Sequence, residues 1–310
     1  MIRSLKIGTK ILIILSSIAI LATCITTYIG YQSARNSLEK ESFNKLTAIR
    51  EVKASQIEDY FSLINDQVVT FSEDRMIIDA MKAFKKGFQE IDSDLQLTAA
   101  ELEAADAKLE KYYQDEYLVR LKTNLDDLEE TPNYWPESRN TRLLQSLYIT
   151  ETLNTTGENH LLDQAEDVSF YSQTHKLYHP VIRNYLQRFG YYDIFLVEHQ
   201  TGHIVYSVFK EVDYATSLLT GPYKHTNFAS IFRSAKEADN KDFVKLVDYV
   251  PYSPSYNAPA SFIASPIFDG TKKIGVLVFQ MPVDKINNIM TNHHPMLIVA
   301  RLYLTMTSKR

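Results

Sequence analysis

The chain has 310 residues, 45% hydrophobic and 23% charged, the composition of a folded protein with room for one large domain or two modest ones. Its formal net charge of −5 argues against a nucleic-acid-binding surface, which is ordinarily basic, so no nucleic-acid partner is expected. The one cysteine, Cys24, excludes an intrachain disulfide framework, a thiolate zinc cluster and a two-thiol redox centre.

Residues 11–32 carry no charge and are mostly apolar. About 20 such residues cross the hydrocarbon core of a bilayer, so a transmembrane helix is predicted over residues 11–31. Arg3, Lys6 and Lys10 precede it, which keeps residues 1–10 in the cytoplasm and places the rest outside the plasma (inner) membrane. The rival is a cleaved signal peptide, whose apolar region would be shorter and would end in a small-residue cleavage site. Tyr28 and Tyr31 near the outer edge sit where interfacial aromatics sit, which favours an uncleaved single-pass anchor held in membrane lipid.

Beyond the anchor, Leu46, Ile49, Val52 or Lys53, Ile57, Tyr60, Ile64, Val68 and Phe71 follow spacings of three and four. Residues 32–143 read as a long helical stalk and helical region. No proline interrupts the chain before Pro132, so one helix can rise directly from the membrane. Its apolar seam serves either to pack on the chain's own domain or to pair two copies as a homodimer, and both can hold for different stretches. A second helical region over 98–130 stops at the breaker Thr131-Pro132-Asn133. Residues 154–159 read as a loop. A helix over 168–189 stops at Gly190, with Pro180 either kinking it or beginning another.

From Tyr191 the pattern changes to strands. The runs 192–197 and 203–209 flank the turn His199-Gln200-Thr201-Gly202 and form a hairpin. A short helix over 227–238 precedes strand candidates over 243–250, 260–268 and 273–280. The last two are joined by Asp269-Gly270-Thr271-Lys272. The fold class is therefore α+β: an N-terminal transmembrane helix, a long helical stalk, and a PAS-like five-stranded antiparallel sheet module with flanking helices. One sheet face is expected to pack on helices and the other to carry a ligand.

These strings, in this order, resemble the membrane-distal module of double Cache sensor domains. The resemblance rests on Gly190-Tyr191-Tyr192-Asp193-Ile194-Phe195-Leu196-Val197, on Ile204-Val205-Tyr206-Ser207-Val208-Phe209-Lys210-Glu211, and on Asp248-Tyr249 with Tyr252-Ser253-Pro254-Ser255-Tyr256. It continues through Ala260-Ser261-Phe262-Ile263-Ala264-Ser265-Pro266-Ile267 and Ile274-Gly275-Val276-Leu277-Val278-Phe279-Gln280-Met281-Pro282. It implies a Cache sensor module over residues 144–290 and, by analogy, the ligand-sensing region of a bacterial receptor: a chemoreceptor, or a histidine kinase or nucleotide cyclase. A structural coiled-coil anchor without ligand is the reading from a different class. The chain departs from the family in residues 291–310, where a second module, a second span, a HAMP linker and an output domain are expected. This atypical tail suggests a truncated or frame-shifted reading frame.

No Walker sequence, dinucleotide fingerprint, nucleophile elbow or His-Glu-x-x-His helix occurs, so no enzyme activity and no cofactor is expected. His175 and His179 share a helix face at i, i+4 but lack an evident third ligand, and His293-His294 lies in the tail, so no metal site is assigned. Asp126-Asp127 and Glu129-Glu130 suit a solvated helix face. The candidate ligand-binding set is Tyr191, Asp193, Tyr206, Lys210, Asp213, Asp248, Tyr252 and Tyr256. A small amino acid, carboxylate or amine needs an acidic group for its nitrogen, a donor for its carboxylate, and aromatic walls against water. Asp193, Asp213 or Asp248 fits the first role and Lys210 the second. Asp193 opens a strand and serves alternatively to cap local backbone.

Overall fold

A computed structural model describes residues 6–125, 131–152 and 157–291 of the chain. The chain is α+β, with a long N-terminal apolar helix, further helices, and a five-stranded antiparallel sheet flanked by helices. It divides into two compact units, residues 60–287 and the residues on either side of that span.

Helix α1 (Ile7–Glu73) is continuous over 67 residues, and its N-terminal part is long and apolar enough to cross a membrane by length and composition. Its seam divides. Ile64, Val68 and Phe71 are buried in the core of the 60–287 unit, whereas Leu46 and Val52 remain 53% and 50% exposed. The helix stops without a proline. Asp74 takes extended backbone (ψ 133°), and its carboxylate accepts from Met76 N at 2.7 Å, capping α2 (Arg75–Leu95).

The second helical region is α3 (Ala99–Tyr112), a wide π turn over Tyr113–Tyr117, and α4 (Leu118–Lys122). Thr98 and Glu101 form a reciprocal capping box at its start. Residues 126–130, with the acidic pairs named above, lie outside the described residues. The expected breaker at Thr131-Pro132 is instead the first turn of a short helix, α5 (Thr131–Tyr134). Proline is tolerated there because a first-turn N–H has no helical partner to lose. Helix α6 (Arg139–Gln145) runs into a second π turn, Ser146–Thr150. Residues 154–156 of the predicted loop at 154–159 lie outside the described residues, and Asn159–Leu161 forms a 3₁₀ turn.

Helix α7 (Phe170–Phe189) carries Pro180 inside one unbroken element and stops at Gly190, whose φ of 73° suits a residue without a Cβ. Strands β1 (Asp193–Glu198) and β2 (Ile204–Ser207) form the first hairpin. Glu198 Oε2 accepts from Gln200 N, Thr201 N and Thr201 Oγ1, which ties the turn. Then come α8 (Asn227–Glu237), β3 (Lys245–Tyr252), β4 (Ala258–Asp269), β5 (Lys272–Gln280) and α9 (Val283–Thr291). Of the atypical tail, 291–310, all but Thr291 lies outside the described residues. Every neighbour in the sheet order β2-β1-β5-β4-β3 is antiparallel.

Alternation across the pleat sorts the core into two layers. The row Ile194–Phe279–Ile263 faces α1, α2 and α7, with Phe71, Phe84, Tyr171 and Leu186. The adjacent row Asp193–Gln280–Phe262 faces the other way, where Phe228 and Phe232 of α8 pack with Tyr113 and Tyr117. Both faces are thus covered by helical elements, α1, α2 and α7 on one and α8 with the first π turn on the other. The reason is local: β1 is buried at all six positions, Phe195 and Val197 included, so neither face of it is left to solvent.

Candidate functional site

The loop after β2 carries the most unusual chemistry in the molecule. Lys210 and Ala215 bracket it with positive φ values of 55° and 65°, a strained conformation for residues with a Cβ. Side chains from α6 and the first π turn hold it in place. Gln145 Nε2 donates to Val212 O at 2.9 Å and Tyr214 O at 2.8 Å, Thr141 donates to Ala215 O at 2.7 Å, and Tyr113 donates to Gln145 Oε1 at 3.0 Å. Between the brackets stand Glu211 and Asp213.

Asp213 is buried, and its Oδ2 accepts from Tyr252 at the end of β3 at 2.6 Å, while its Oδ1 has no partner. Glu211 accepts from Tyr192 at 3.0 Å and from Ser255 at 2.8 Å. Gln280, on β5 opposite Asp193, donates through Nε2 to Ser255 Oγ at 3.3 Å, and its buried Oε1 is unpartnered. Asp193 Oδ1 accepts from Ile194 N at 2.6 Å, Val208 N at 2.8 Å and Phe209 N at 3.3 Å. The result is a group of carboxylates rich in acceptors and poor in side-chain donors.

The electrostatics follow from that imbalance. Burial, then repulsion from Asp213, pushes the Asp193 carboxyl up to about 8 against the pull of its backbone donors. Burial and the same neighbour push Glu211 up to about 8. Burial pushes Asp213 up to about 6, and the Tyr252 hydroxyl restrains it.

A second polar group lies in the other layer, at the β2 edge. His179 Nε2 is 2.7 Å from His160 O, so it carries the proton, and Nδ1 accepts from the Tyr206 hydroxyl at 2.8 Å. His175 Nδ1 donates to Asp163 O at 2.7 Å, leaving Nε2 bare and buried. The two rings stack with centroids 4.3 Å apart. Burial, reinforced by the Lys210 charge, holds both imidazoles well below their usual range, so both are neutral. Both nitrogens of His179 are spoken for, so the pair does not present a joint face to a metal. Lys210 is itself buried, donates to Val208 O at 3.0 Å, and is pushed down to about 7 by burial against the favourable field of Asp193.

Of the eight candidate residues, Asp193, Asp213 and Tyr252 meet in the acidic group. Tyr206 and Lys210 belong to the histidine layer. Tyr191 also lies on that side, packing on Phe279 with centroids 4.4 Å apart and donating to Gln67. Tyr256 follows the 3₁₀ turn Ser253–Ser255 with a φ of 52°, its ring 5.7 Å from the Arg120 guanidinium. Asp248 stands apart: it is exposed on β3, at a register shift between Val247 and Val250, and accepts from Tyr249 N at 2.7 Å. The structure brings it to neither group. Glu211, Ser255 and Gln280 belong to the acidic group and were not in the candidate set. Glu211 had a signal, its place two residues from Asp213 in a loop. Gln280 had none, because only strand register sets it opposite Asp193.

No family model matches the sequence, and no curated protein matches it. Among solved structures the chain is similar to the sensor domain of the V. cholerae histidine kinase DctB, at 12% identity and a TM-score of 0.30. The match covers 62% of this chain and 60% of that one.

Proposed function

We propose that this chain is the extracytoplasmic ligand-sensing region of a membrane-bound bacterial signal-transduction receptor of the chemoreceptor type, acting by binding rather than by catalysis. The observation that carries the reading is helix α1. One unbroken element bears a stretch fit to cross a membrane at one end and contributes Ile64, Val68 and Phe71 to the core under the sheet at the other. A shift in how β1, β4 and β5 pack on those residues is thereby a shift in the helix that leaves the membrane. The buried acidic group supports a binding role, since desolvated, strained and incompletely paired polar groups are costly to keep in a fold that needs only stability. The ordered strings that resemble double Cache modules support the chemoreceptor class, with a homodimer formed through the exposed part of the α1 seam.

The test has two arms on the full chain in membranes. An impermeant thiol reagent applied to intact spheroplasts should label a cysteine at Ser93, on α2, in a Cys24→Ser background. A thermal-unfolding screen of small solutes in detergent should find a stabilising ligand. Labelling only after lysis would overturn the topology, and no stabilising solute in the screen would overturn the sensing role.

A further inference from the structure

Helix α6 widens into the second π turn at Ser146, and this turn borders a cavity of about 250 Å³. The cavity lies between the C-terminal end of α2, α3 and the turn, and none of its lining residues belongs to the acidic group or to the histidine layer. Its walls are aliphatic: Leu95 and Leu97, Ala104 and Ala105, Leu143 and Leu147. The four leucines are continuous with the core under the sheet.

One polar group in these walls is left open. Ser146 lines the cavity and is 3% exposed, yet its hydroxyl has no hydrogen-bond partner. A hydroxyl inside a helix commonly turns back to the carbonyl four residues before it. Thr150 does so, donating to Ser146 O at 3.0 Å, and Glu151 N donates to the same carbonyl at 2.9 Å. The backbone of the turn is thus satisfied and the Ser146 side chain is not. A buried hydroxyl without a partner is costly to keep.

The charges at the mouth are committed to one another or to the backbone. Lys108 pairs with Glu151 at 3.4 Å, and Glu101 accepts from Thr98 N and Oγ1 at 2.8 and 2.7 Å in the capping box of α3. An ion entering the aliphatic interior would shed its water with no free counter-charge to meet it. A neutral molecule with one oxygen keeps its apolar part on the leucines and brings the missing partner to Ser146. Burial of the aliphatic body then supplies affinity, and the single hydrogen bond supplies orientation.

We propose that this cavity binds a small neutral alcohol or ketone, an aliphatic body of about six to ten heavy atoms with its oxygen on Ser146 Oγ. Single π turns recur at functional sites, and this one adjoins the clamp on the loop after β2. Gln145, the residue before Ser146, donates to Val212 O and Tyr214 O. An occupant that steadies the Ser146 turn steadies Gln145, and through it the loop 211–215. The site is additional to the sensing role proposed above and does not depend on it.

The experiment is calorimetric titration of the full chain in lipid nanodiscs at pH 7, with empty nanodiscs subtracted. Cyclohexanol and cyclohexanone are set against hexanoate and hexylamine, and at least one of the neutral pair should bind saturably. Ser146→Ala should weaken that binding about five- to tenfold, the worth of one neutral hydrogen bond, and leave the unliganded chain at least as stable as the parent. Ala104→Leu, at an exposed position of the lining, should abolish binding by filling the space. If Ser146→Ala does not unfold cooperatively, Ala104→Leu decides. Hydrogen exchange with the bound neutral probe should slow in residues 143–151 and 211–215. Slowing in 143–151 alone keeps the site and removes its link to the loop. Binding that both variants retain, or protection confined to the cleft of about 280 Å³ lined by Trp135, Ser217 and Lys224, overturns the assignment. Saturable binding of hexanoate or hexylamine with neither neutral probe overturns it as well, and so does no saturable binding at all.

Discussion

The Tyr252 hydroxyl donates to Asp213 Oδ2 at 2.6 Å and leaves Oδ1 of the same carboxylate bare. One hydrogen bond from the end of β3 thus restrains a buried acid on the loop after β2, and nothing else on a side chain does. Tyr252→Phe removes that donor while keeping the ring. It should cost about 1–3 kcal/mol at pH 8, where the carboxylate is ionised, and less at pH 5, where it is largely protonated. Denaturant unfolding at the two pH values measures the difference, and an equal loss at both would show that the bond is not restraining a charge.

The pH dependence of the acid itself is best read as a difference between variants, since the buried neutral histidines also titrate on unfolding. Asp213 has a folded value of about 6, above its usual 3.8, so the folded state holds its proton more tightly. Its stabilising share is full below pH 3.8 and is lost as pH rises towards and through about 6. Asp193 and Glu211, each raised to about 8 in part by Asp213, extend the same trend upward. Asp213→Asn escapes this loss. Its stability relative to the parent should therefore grow by at least about 1 kcal/mol between pH 5 and pH 7. A difference that stays constant with pH would falsify the buried ionisation.

Gly87 on α2 lets that helix approach α7. A Cβ there would lie 2.8 Å from Tyr171 Cα, a main-chain atom that cannot swing aside. Gly87→Ala gains helix propensity of up to about 1 kcal/mol, but forcing the helices apart should outweigh it and destabilise by about 1–3 kcal/mol net. A variant as stable as the parent in urea would mean that the two helices separate without loss.

The divided seam of α1 makes a positional prediction about pairing. Ile64 is 2% exposed and committed to its own core, whereas Leu46 and Val52 are 53% and 50% exposed, as the proposed pairing of two copies requires. In a Cys24→Ser background, cysteines at Leu46, Ile49 or Val52 should cross-link within membranes under mild oxidation, and cysteine at Ile64 should not. Cross-linking confined to Glu51 or Glu58, on the charged faces, would rule out the seam.

Much of the architecture was legible because its causes are local. The strand runs are dense in β-branched and aromatic residues, and Gly202 and Gly270 stand where the hairpins turn with φ values of 72° and 64°. The apolar N-terminal stretch is visible to any reading of charge and length. Helix ends were harder. Asp74 stops α1 through a cap to Met76, a signal that looks like any other acidic residue in a polar helix face. Pro132, a breaker by residue type, starts a turn because position within a helix matters as much as identity.

The site divides the same way. That Asp193, Asp213 and Tyr252 are polar residues among strands and loops was apparent, but not that they share a layer while Tyr191, Tyr206 and Lys210 occupy the opposite one. Pleat parity assigns Asp193 to the α8 side only once the register with Gln280 is known, and a shift of one residue would move it across. Gln145, some 65 residues before the loop it clamps, and Ser255, linking Gln280 to Glu211, have no local pattern to betray them. The sequence by itself determined the apolar N-terminal helix, the order of the strands along the chain and the turns between them, because those follow from burial and backbone preference over a few residues. Tertiary structure alone decided which carboxylates face one another and which of their oxygens go unpaired, because those depend on contacts between segments far apart in the chain.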